Sequence, residues 1–240
     1  MTIEDEIQDE SNERFRRQSL MEGIKEYITG IYAVESEITP VSNLFDVLYS
    51  FGRLPQKLTD NELLALIGYI SPSIATSHYV RRHLLLSAGQ VSAYIYFLKK
   101  GLVRGFYTQK NTGKDITEFL WEERSIITVP TGFFQQQPSE LFIEVMPGTE
   151  LMSISFNDLM GFIQKYPVVE IFSRNVILQY NAYEAKRNYQ LTFLSAWERY
   201  LELLKTHPAI EQQVSKEIIA SYLHITPQSL SRLLKEKRHP

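Results

Sequence analysis

The feature that most limits the fold of this sequence is a series of short runs, rich in β-branched and aromatic residues, between about Tyr79 and Ser155. Runs such as SAYIYFL, LVRGFYT and LFIEVM alternate with turn formers, among them Lys100-Gly101 and Asn111-Thr112-Gly113. Their spacing is roughly ten residues, which is typical of short antiparallel strands joined by tight turns. The pattern predicts an antiparallel barrel or jelly roll, in which alternate side chains of each strand face a common core.

An acidic extension precedes the predicted barrel. Residues 1–40 carry ten acidic and four basic side chains, and apolar residues recur at helical spacing from Leu20 to Ile31. We expect this extension to be partly helical. Three roles for this extension are open: packing on the barrel, binding a partner, or screening the basic charge of the C-terminus of the same chain. Further helices are predicted from Thr59 and from Ser195, each of which stands three residues before a Glu in a capping box. Ser155 is expected to cap the helix that follows the last strand.

Composition excludes several classes of function. The 240 residues include no cysteine, which excludes disulfides, cysteine-ligated metal sites and thiol nucleophiles. No window approaches the ~18 uninterrupted apolar residues of a membrane span. The acidic start, MTIEDEIQDE, lacks the basic and apolar regions of a signal peptide. We therefore expect a cytoplasmic protein with no membrane partner.

Pro167 opens a segment without a further helix breaker until about Tyr189, which predicts one long helix. Within this helix, one stripe of residues recurs at alternating spacings of three and four, as in the seam of a coiled coil. A second stripe, which includes Val169 and Val176, lies beside the first. One stripe can therefore face the barrel and the other a second copy of the chain. The alternative is a single amphipathic helix packed on its own barrel. The predicted dimer helix comprises Val168, Ile171, Asn175, Leu178, Ala182, Ala185 and Tyr189.

The C-terminal segment SKEIIASYLHITPQSLSRLLKEKRHP contains two helical patterns separated by Thr226-Pro227. In a helix-turn-helix of about 20 residues, a few positions must be apolar or small because the two helices touch only there. With Lys216 as the first position, the chain meets these requirements. The matching residues are Ile219, Ala220, Leu223, Ile225, Leu230 and Leu233. His224 occupies the turn position that needs a positive φ, which histidine adopts more readily than most residues.

The second helix of this pair is expected to contact DNA. Gln228 can bond bidentately to adenine and Arg232 to guanine in the major groove, whereas hydroxyls, backbone amides and lysines suit phosphates. The alternative is a helical hairpin that only completes a core. The candidate DNA-binding residues are Ser215, Lys216, Thr226, Pro227, Gln228, Ser229, Ser231, Arg232, Lys235, Lys237 and Arg238.

Over residues 41–240 the chain resembles the Crp/Fnr family of bacterial transcription regulators. The resemblance rests on LLLSAGQVSAYIYFLKKGLVRGFYTQKNTGKDITEF in the barrel, on FLSAWERYLELL and on IIASYLHITPQSLSRLL. It implies a homodimer whose barrels sense a small effector and whose long helices relay that state to two DNA-contacting units, with RNA polymerase as a further partner. It places Pro227, Gln228 and Arg232 at the base-contacting positions; only Arg232 keeps the residue of the best-known family type.

The expected fold class is α+β. Residues 1–40 form the extension, 41–165 a cyclic-nucleotide-binding-like antiparallel jelly roll, 166–190 the dimerisation helix, and 191–240 an all-α helix-turn-helix domain. The β-hairpin wing that usually follows the recognition helix in the family is not expected in full, because the sequence ends shortly after that helix.

The resemblance also implies an effector pocket, but this chain departs from the family there. Cyclic-nucleotide-binding members present a Glu to the ribose and an Arg, then a hydroxyl, to the phosphate. Val129, Ser139 and Glu140 stand at those positions. A carboxylate near a phosphate is repulsive, so cyclic AMP is not expected to bind in the family manner, and no cofactor is identified.

Two interpretations of this pocket remain open. It takes a different effector of unknown identity, or it is vestigial. The FFQQQ segment either borders the pocket or packs a short helix on the barrel. In the long helix, Glu184 and Ala185 replace a pair of hydroxyl residues that contact adenine in the family. The candidate pocket residues are Val129, Phe133, Phe134, Gln137, Ser139, Glu140 and Glu184.

Other functions fit parts of the pattern. Metal-dependent dioxygenases also use jelly rolls, but the five histidines include no His-x-His pair with a downstream Glu, so we expect no catalytic or metal-binding residues and no enzyme. His78 and His83 would be the candidates for a haem ligand, and nothing beyond residue type supports them. An effector-binding or protein-interaction module that has lost DNA binding is the remaining alternative.

Overall fold

The computed structural model describes residues 60–238, with side chains from Ala65 onward except those of Val168, Lys237 and Arg238. The chain divides after Ile74 into two units. In the first unit, the described part is helix α1 (Asp60–Ile70) and a 3-10 turn (Ser71–Ser73). Ser71 closes the end of α1 by donating its hydroxyl hydrogen to the carbonyl of Ile67 at 2.7 Å. The cap predicted at Thr59 and the helix predicted from Leu20 lie outside the described residues.

The second unit begins with a barrel of eight strands in two four-stranded antiparallel sheets. One sheet has the order β1-β8-β3-β6 and the other β2-β7-β4-β5. This arrangement confirms the predicted jelly roll. The strands are β1 (Ala75–Tyr79), β2 (His83–Leu86), β3 (Tyr94–Lys100), β4 (Val103–Thr108), β5 (Asp115–Trp121), β6 (Ile126–Ile127), β7 (Phe142–Val145) and β8 (Thr149–Ser155).

The barrel core consists of the alternate, inward-facing residues of both sheets. Val103, for example, lies opposite Val145 in the β4–β7 pair, and both side chains are fully buried. Apolar burial of this kind is the main stabilising term of a sandwich or barrel. The buried core residues are Leu86, Leu98, Val103, Phe119, Trp121, Ile127, Val129, Leu141, Ile143, Val145 and Leu151.

Gly101 carries the chain from β3 in one sheet to β4 in the other. Its φ of +96° is favourable for glycine and strained for other residues. It also lies against Thr149, because a Cβ at Gly101 would stand 2.8 Å from the Cα of Thr149. The buried Thr149 hydroxyl donates toward the carbonyl of Met146 at 2.7 Å, and a second contact reaches the carbonyl of Leu102 at 3.1 Å. This tight turn fixes how the two sheets join.

Helices α2 (Pro130–Phe134), α3 (Phe156–Lys165) and α4 (Glu170–Phe193) follow or interrupt the strands. Ser155 caps α3 as predicted, accepting a hydrogen bond from the backbone N–H of Asp158 at 3.1 Å. The long helix begins one turn later than predicted, since Pro167–Val169 form a 3-10 turn before Glu170.

The two stripes of α4 have different environments. Val169 and Val176, from the second stripe, are buried, and Tyr183 stacks on Phe119 of the barrel at 4.9 Å between ring centroids. In the first stripe, Leu178 keeps 58% of its surface exposed and Tyr189 keeps 57%. Ala182 and Ala185 are also exposed, while Ile171 and Asn175 are half-buried. The barrel-facing stripe therefore packs against residues of its own chain. The other stripe is not covered by the described residues.

Four further helices complete the unit: α5 (Ala196–Thr206), α6 (Ile210–Gln213), α7 (Lys216–Tyr222) and α8 (Pro227–Arg238). The predicted capping box at Ser195 is present. Its hydroxyl accepts from the N–H of Glu198 at 3.3 Å, and the Glu198 carboxylate accepts from the N–H of Ser195 at 2.8 Å. No helix among residues 60–238 is both long and apolar enough to cross a membrane.

Strand β5 lies at the edge of its sheet, and side chains from α4 and α7 satisfy its outer backbone groups. The Ser221 hydroxyl accepts from the N–H of Thr117 at 2.8 Å and donates to the carbonyl of Asp115 at 2.9 Å. The Tyr183 hydroxyl donates to the carbonyl of Glu118 at 3.3 Å. Hydroxyls thus take the place of a neighbouring strand along this edge.

Candidate nucleic-acid interface

Helices α7 and α8 form the helix pair predicted from the sequence. His224 in the turn has a φ of +53°, as its position requires, and the backbone N–H of Ile225 donates to the carbonyl of Ala220 at 3.0 Å. Thr226 caps α8, since its hydroxyl accepts from the N–H of Ser229 at 3.1 Å, and Pro227 is the first helical residue. At that position the missing proline N–H costs no hydrogen bond.

The inner faces of the helix pair share one apolar core with α5, α6 and the barrel. Ile219, Ala220, Leu223 and Leu230 retain at most 1% of their surface exposed. Ile225 packs against the same cluster, while Leu234 is more buried than Leu233. Leu102, Leu120 and Met146 of the barrel belong to this cluster. Five of the six positions predicted to be apolar or small therefore pack in this core, and Leu234 takes the place predicted for Leu233.

The outer face of α8 is polar and open. Gln228, Ser231, Arg232 and Lys235 are exposed, and Ser229 is half-buried. The Arg232 side chain is 77% exposed, and its single ion pair, to Glu236 at 3.9 Å, is long and solvated. The described residues leave this guanidinium free to reorient toward a ligand.

Two candidate DNA-binding residues, Ser215 and Lys216, stand at the start of α7. Ser215 is the N-cap residue, but its hydroxyl makes no capping hydrogen bond. It instead lies near Glu217, whose pKa is lowered chiefly by its hydrogen bond to Ser215. Lys216 is exposed. The side chains of Lys237 and Arg238 lie outside the described residues.

Arg187 of α4 fastens the helix pair to the barrel, and sequence reasoning missed this residue. Its side chain is 2% exposed and stacks over the ring of Tyr222 at 3.9 Å. Its Nη2 donates to the carbonyl of Tyr222, and its Nε lies 3.5 Å from a carboxylate oxygen of Glu118. A lone arginine within a helical pattern gives no sequence signal that distinguishes a buried anchor from a surface cation.

The arrangement of barrel, long helix and helix pair matches solved structures. A protein from Eubacterium rectale assigned to the Crp/Fnr family of transcriptional regulators superposes with a TM-score of 0.61 at 17% identity, covering 79% of this chain and 88% of its own. The chain has the Crp/Fnr fold. FixK2 from Bradyrhizobium japonicum aligns with a TM-score of 0.57 at 15% identity, over 68% of this chain and 83% of that chain.

CLP of Xanthomonas campestris, a global regulator responsive to c-di-GMP, also shares the Crp/Fnr fold. It aligns with a TM-score of 0.57 at 14% identity, over 72% of this chain and 91% of that chain. No protein-family model and no curated protein sequence matches the chain. At these identities the likeness establishes the fold alone.

The predicted pocket residues of the barrel differ in their exposure. Val129, Phe133 and Ser139 are buried, Phe134 is half-buried, and Gln137, Glu140 and Glu184 are exposed. The Phe133 ring packs edge-on against Phe134 and Phe156, at 5.1 and 5.5 Å between centroids. The two phenylalanines of FFQQQ thus end a short helix that packs on the barrel. That the segment also borders an effector pocket stays a prediction.

Two further features describe the polar groups of this region. The Ser139 hydroxyl is already engaged, since it donates to the carbonyl of Leu141 at 2.9 Å and accepts from the N–H of Leu141 at 3.0 Å. Burial raises the pKa of Tyr107, and the carboxylates of Glu118, Glu184 and Glu140 raise it further. Carboxylates of two candidate pocket residues, Glu140 and Glu184, therefore act on the same tyrosine.

Aromatic side chains occupy the space between α4 and the Crp/Fnr barrel. Phe119 stacks on Trp121, on Tyr180 and on Tyr183, with centroid distances of 5.0, 5.2 and 4.9 Å. Burial, followed by the nearby Glu184 carboxylate, raises the pKa of Tyr180, so its hydroxyl stays neutral. No group of three or more metal-ligating side chains occurs in the described part of the chain.

Proposed function

We propose that this protein is a homodimeric, sequence-specific DNA-binding transcription regulator of the Crp/Fnr type. The observation that carries the proposal is the open polar face of α8, where Gln228, Ser231, Arg232 and Lys235 stand above a fully buried helix-pair core. Its partners are a double-stranded DNA operator, a second copy of the chain and, by family resemblance, RNA polymerase. The proposal assigns the chain no catalytic activity.

The geometry supports two roles for the exposed residues of α8, base contact near its start and phosphate contact further along. Gln228 and Arg232 lie one helical turn apart on the exposed face, so both can reach base edges when the start of α8 enters the major groove. Lys235 lies further along the helix, where its ammonium suits a backbone phosphate. The buried core holds these side chains on a rigid element, which limits the entropy that binding must overcome.

The test is selection of bound duplexes from a random DNA pool, followed by affinity measurements on the selected operator. Arg232→Ala should weaken binding by ~1–3 kcal/mol and relax the preference at one base pair. Lys235→Ala should weaken binding to all DNA sequences alike. It should also reduce the number of counterions released on binding, read from the salt dependence of the affinity, by about one. Lys110→Ala, in the turn between β4 and β5, removes the same charge elsewhere and should leave affinity unchanged.

The same measurements decide the alternative function. One outcome favours an effector-binding or protein-interaction module. In that outcome the selection enriches no DNA sequence, and the Arg232, Lys235 and Lys110 variants bind DNA as weakly and with the same salt dependence as the parent protein. The open face of α8 would then be an ordinary solvated surface.

The uncovered stripe of α4 supports the homodimer. Leu178, Ala182, Ala185 and Tyr189 lie on one face of this 24-residue helix and are exposed. Phe193 extends the same apolar surface with 70% of its area exposed. Pairing two such helices buries this surface and places two helix pairs about one turn of DNA apart, roughly 34 Å.

Leu178→Arg is expected to convert the dimer into a monomer, since two cations would meet at the seam. Operator affinity should fall on the order of 10²-fold, because the second half-site then no longer binds intramolecularly. Sedimentation and DNA binding together check this. Gln179→Arg adds the same charge one residue along the helix and serves as the control; a dimer that persists in Leu178→Arg contradicts the assignment of this stripe.

We propose further that the barrel does not bind cyclic AMP in the family manner. The support is the engaged hydroxyl of Ser139 and the carboxylates of Glu140 and Glu184. Titration calorimetry should therefore show no saturable heat with cyclic AMP at concentrations up to about 1 mM, a Kd that corresponds to only about 4 kcal/mol of binding free energy. Micromolar binding that Ser139→Leu abolishes is the contrary result.

A further inference from the structure

A cavity of about 160 Å³ lies where the end of β5 meets α4 and α5, apart from the expected effector pocket. Arg187, Gln190 and His207 line it with side chains that are no more than 9% exposed. Lys186, Glu122 and Glu202 border it with more accessible side chains. The cavity therefore has a buried polar floor and a charged rim.

Arg187 has hydrogen-bonding capacity that the protein does not use. Its Nη2 donates to the carbonyl of Tyr222, and its Nε lies 3.5 Å from Glu118. Its buried Nη1 has no hydrogen-bond partner among the described residues. A buried unsatisfied donor lowers the stability of the folded protein, and more so when it belongs to a charged group. A ligand that supplies an acceptor to Nη1 would remove this cost.

Other groups also line or border the cavity. His207 is buried there next to the carbonyl of Leu120, and burial keeps its ring neutral by lowering its pKa. Lys186 adds a second cation at the rim. Of the two rim carboxylates, Glu202 is paired with Lys205 at 2.5 Å, which reduces its effect on an incoming anion. The buried end of the cavity thus holds a guanidinium with an unused N–H group, and its rim carries a second cation.

We propose that this cavity binds a small molecule carrying a carboxylate or phosphate group, with Nη1 of Arg187 as the anchor and Lys186 as a second contact. Arginine presents its N–H groups in a planar fork that matches such oxyanions. The volume suits a ligand of roughly five to ten non-hydrogen atoms, since each water in the liquid occupies about 30 Å³. This inference goes beyond DNA binding and does not depend on it.

The location gives such a ligand influence over the helix pair. Arg187 contacts both Tyr222 of α7 and Glu118 of β5. An oxyanion on Nη1 competes with the Glu118 carboxylate for the same guanidinium. Occupancy of the cavity therefore changes the contacts by which α7 is fastened to the barrel.

Trp121 provides a direct measurement, because it lines the cavity and Trp197 is the only other tryptophan. In a Trp197→Phe background, the fluorescence of Trp121 is titrated with sodium phosphate and with sodium succinate, each against sodium chloride at equal ionic strength. At least one of the two salts should give a saturable change that chloride does not. The absence of a saturable change with both salts overturns the proposal, whatever the protein does with DNA.

Substitutions then locate the bound anion. Arg187→Lys keeps the charge but removes the planar fork, and the Kd should rise at least tenfold. Lys186→Gln, at an exposed position, should raise it severalfold without disturbing the fold. Lys110→Gln is the control for loss of a distant charge. If Arg187→Lys fails to fold, Lys186→Gln decides alone; an unchanged Kd in every folded variant overturns the proposal.

Discussion

Replacing Gly101 by alanine is expected to lower the free energy of unfolding by roughly 4 kcal/mol, the sum of backbone strain and overpacking. The strain arises because Gly101 has a φ of +96°. The overpacking arises because the new methyl would lie 2.8 Å from the Cα of Thr149 and 2.7 Å from its hydroxyl oxygen. Both atoms belong to a buried turn that connects the two sheets, so they cannot move away without breaking hydrogen bonds to Leu102 or Met146.

Gly113→Ala separates the two contributions. Gly113 also has a positive φ, +64°, but a Cβ there would meet nothing within 4 Å. This variant should therefore lose only the strain, about 1–2 kcal/mol. Urea unfolding of the parent and both variants measures the difference. Equal losses in the two variants would show that the approach to Thr149 does not constrain the turn.

The protein is expected to lose about 3 kcal/mol of stability between pH 7 and pH 4 through His207 alone. Burial lowers the pKa of His207 from 6.5 to about 4, with the carbonyl of Leu120 acting weakly in the opposite direction. Between these values the unfolded chain binds a proton that the folded chain excludes. Stability from this residue is therefore complete above pH 6.5 and is lost as the pH falls toward 4.

His207→Phe should flatten this part of the pH dependence, because phenylalanine keeps the packing and cannot take up a proton. Chemical unfolding at several pH values compares the variant with the parent. His78→Gln removes an exposed histidine and serves as the comparison variant. A His207→Phe protein with the parent's slope would mean that His207 is protonated in the folded state over this range.

Much of this fold could be predicted from the sequence because its local signals agree with the tertiary structure. The runs from Tyr94 onward became strands, and the caps at Ser155 and Ser195 formed as predicted. Strand β1 was missed. Its sequence, ATSHY, begins with small and polar residues and shows neither a β-branched run nor clean alternation. It pairs with β8 along its whole length, so its conformation comes from a partner distant in sequence.

The helix pair was predictable for a similar reason, since its few packing positions determine which residues are buried. The way it docks was not. Ser221, Tyr222 and Arg187 have no periodicity that marks them as contacts to the barrel, and their partners in β5 lie far away in the sequence. The pocket residues expected by resemblance, Val129 and Ser139 among them, stay a prediction. In the structure, Ser139 is hydrogen-bonded to its own chain and Phe133 packs against Phe134.

Loss of the hydroxyl groups that cover the edge of β5 would make the protein prone to aggregate. When α7 leaves the barrel, the N–H of Thr117 and the carbonyl of Asp115 lose their Ser221 partner. A bare edge of this kind can pair with a strand of another molecule and begin aggregation. Molecules with a detached helix pair would therefore be removed from solution unless another partner covers that edge. Docking of α7 thus protects the protein against self-association, independently of any role in DNA binding.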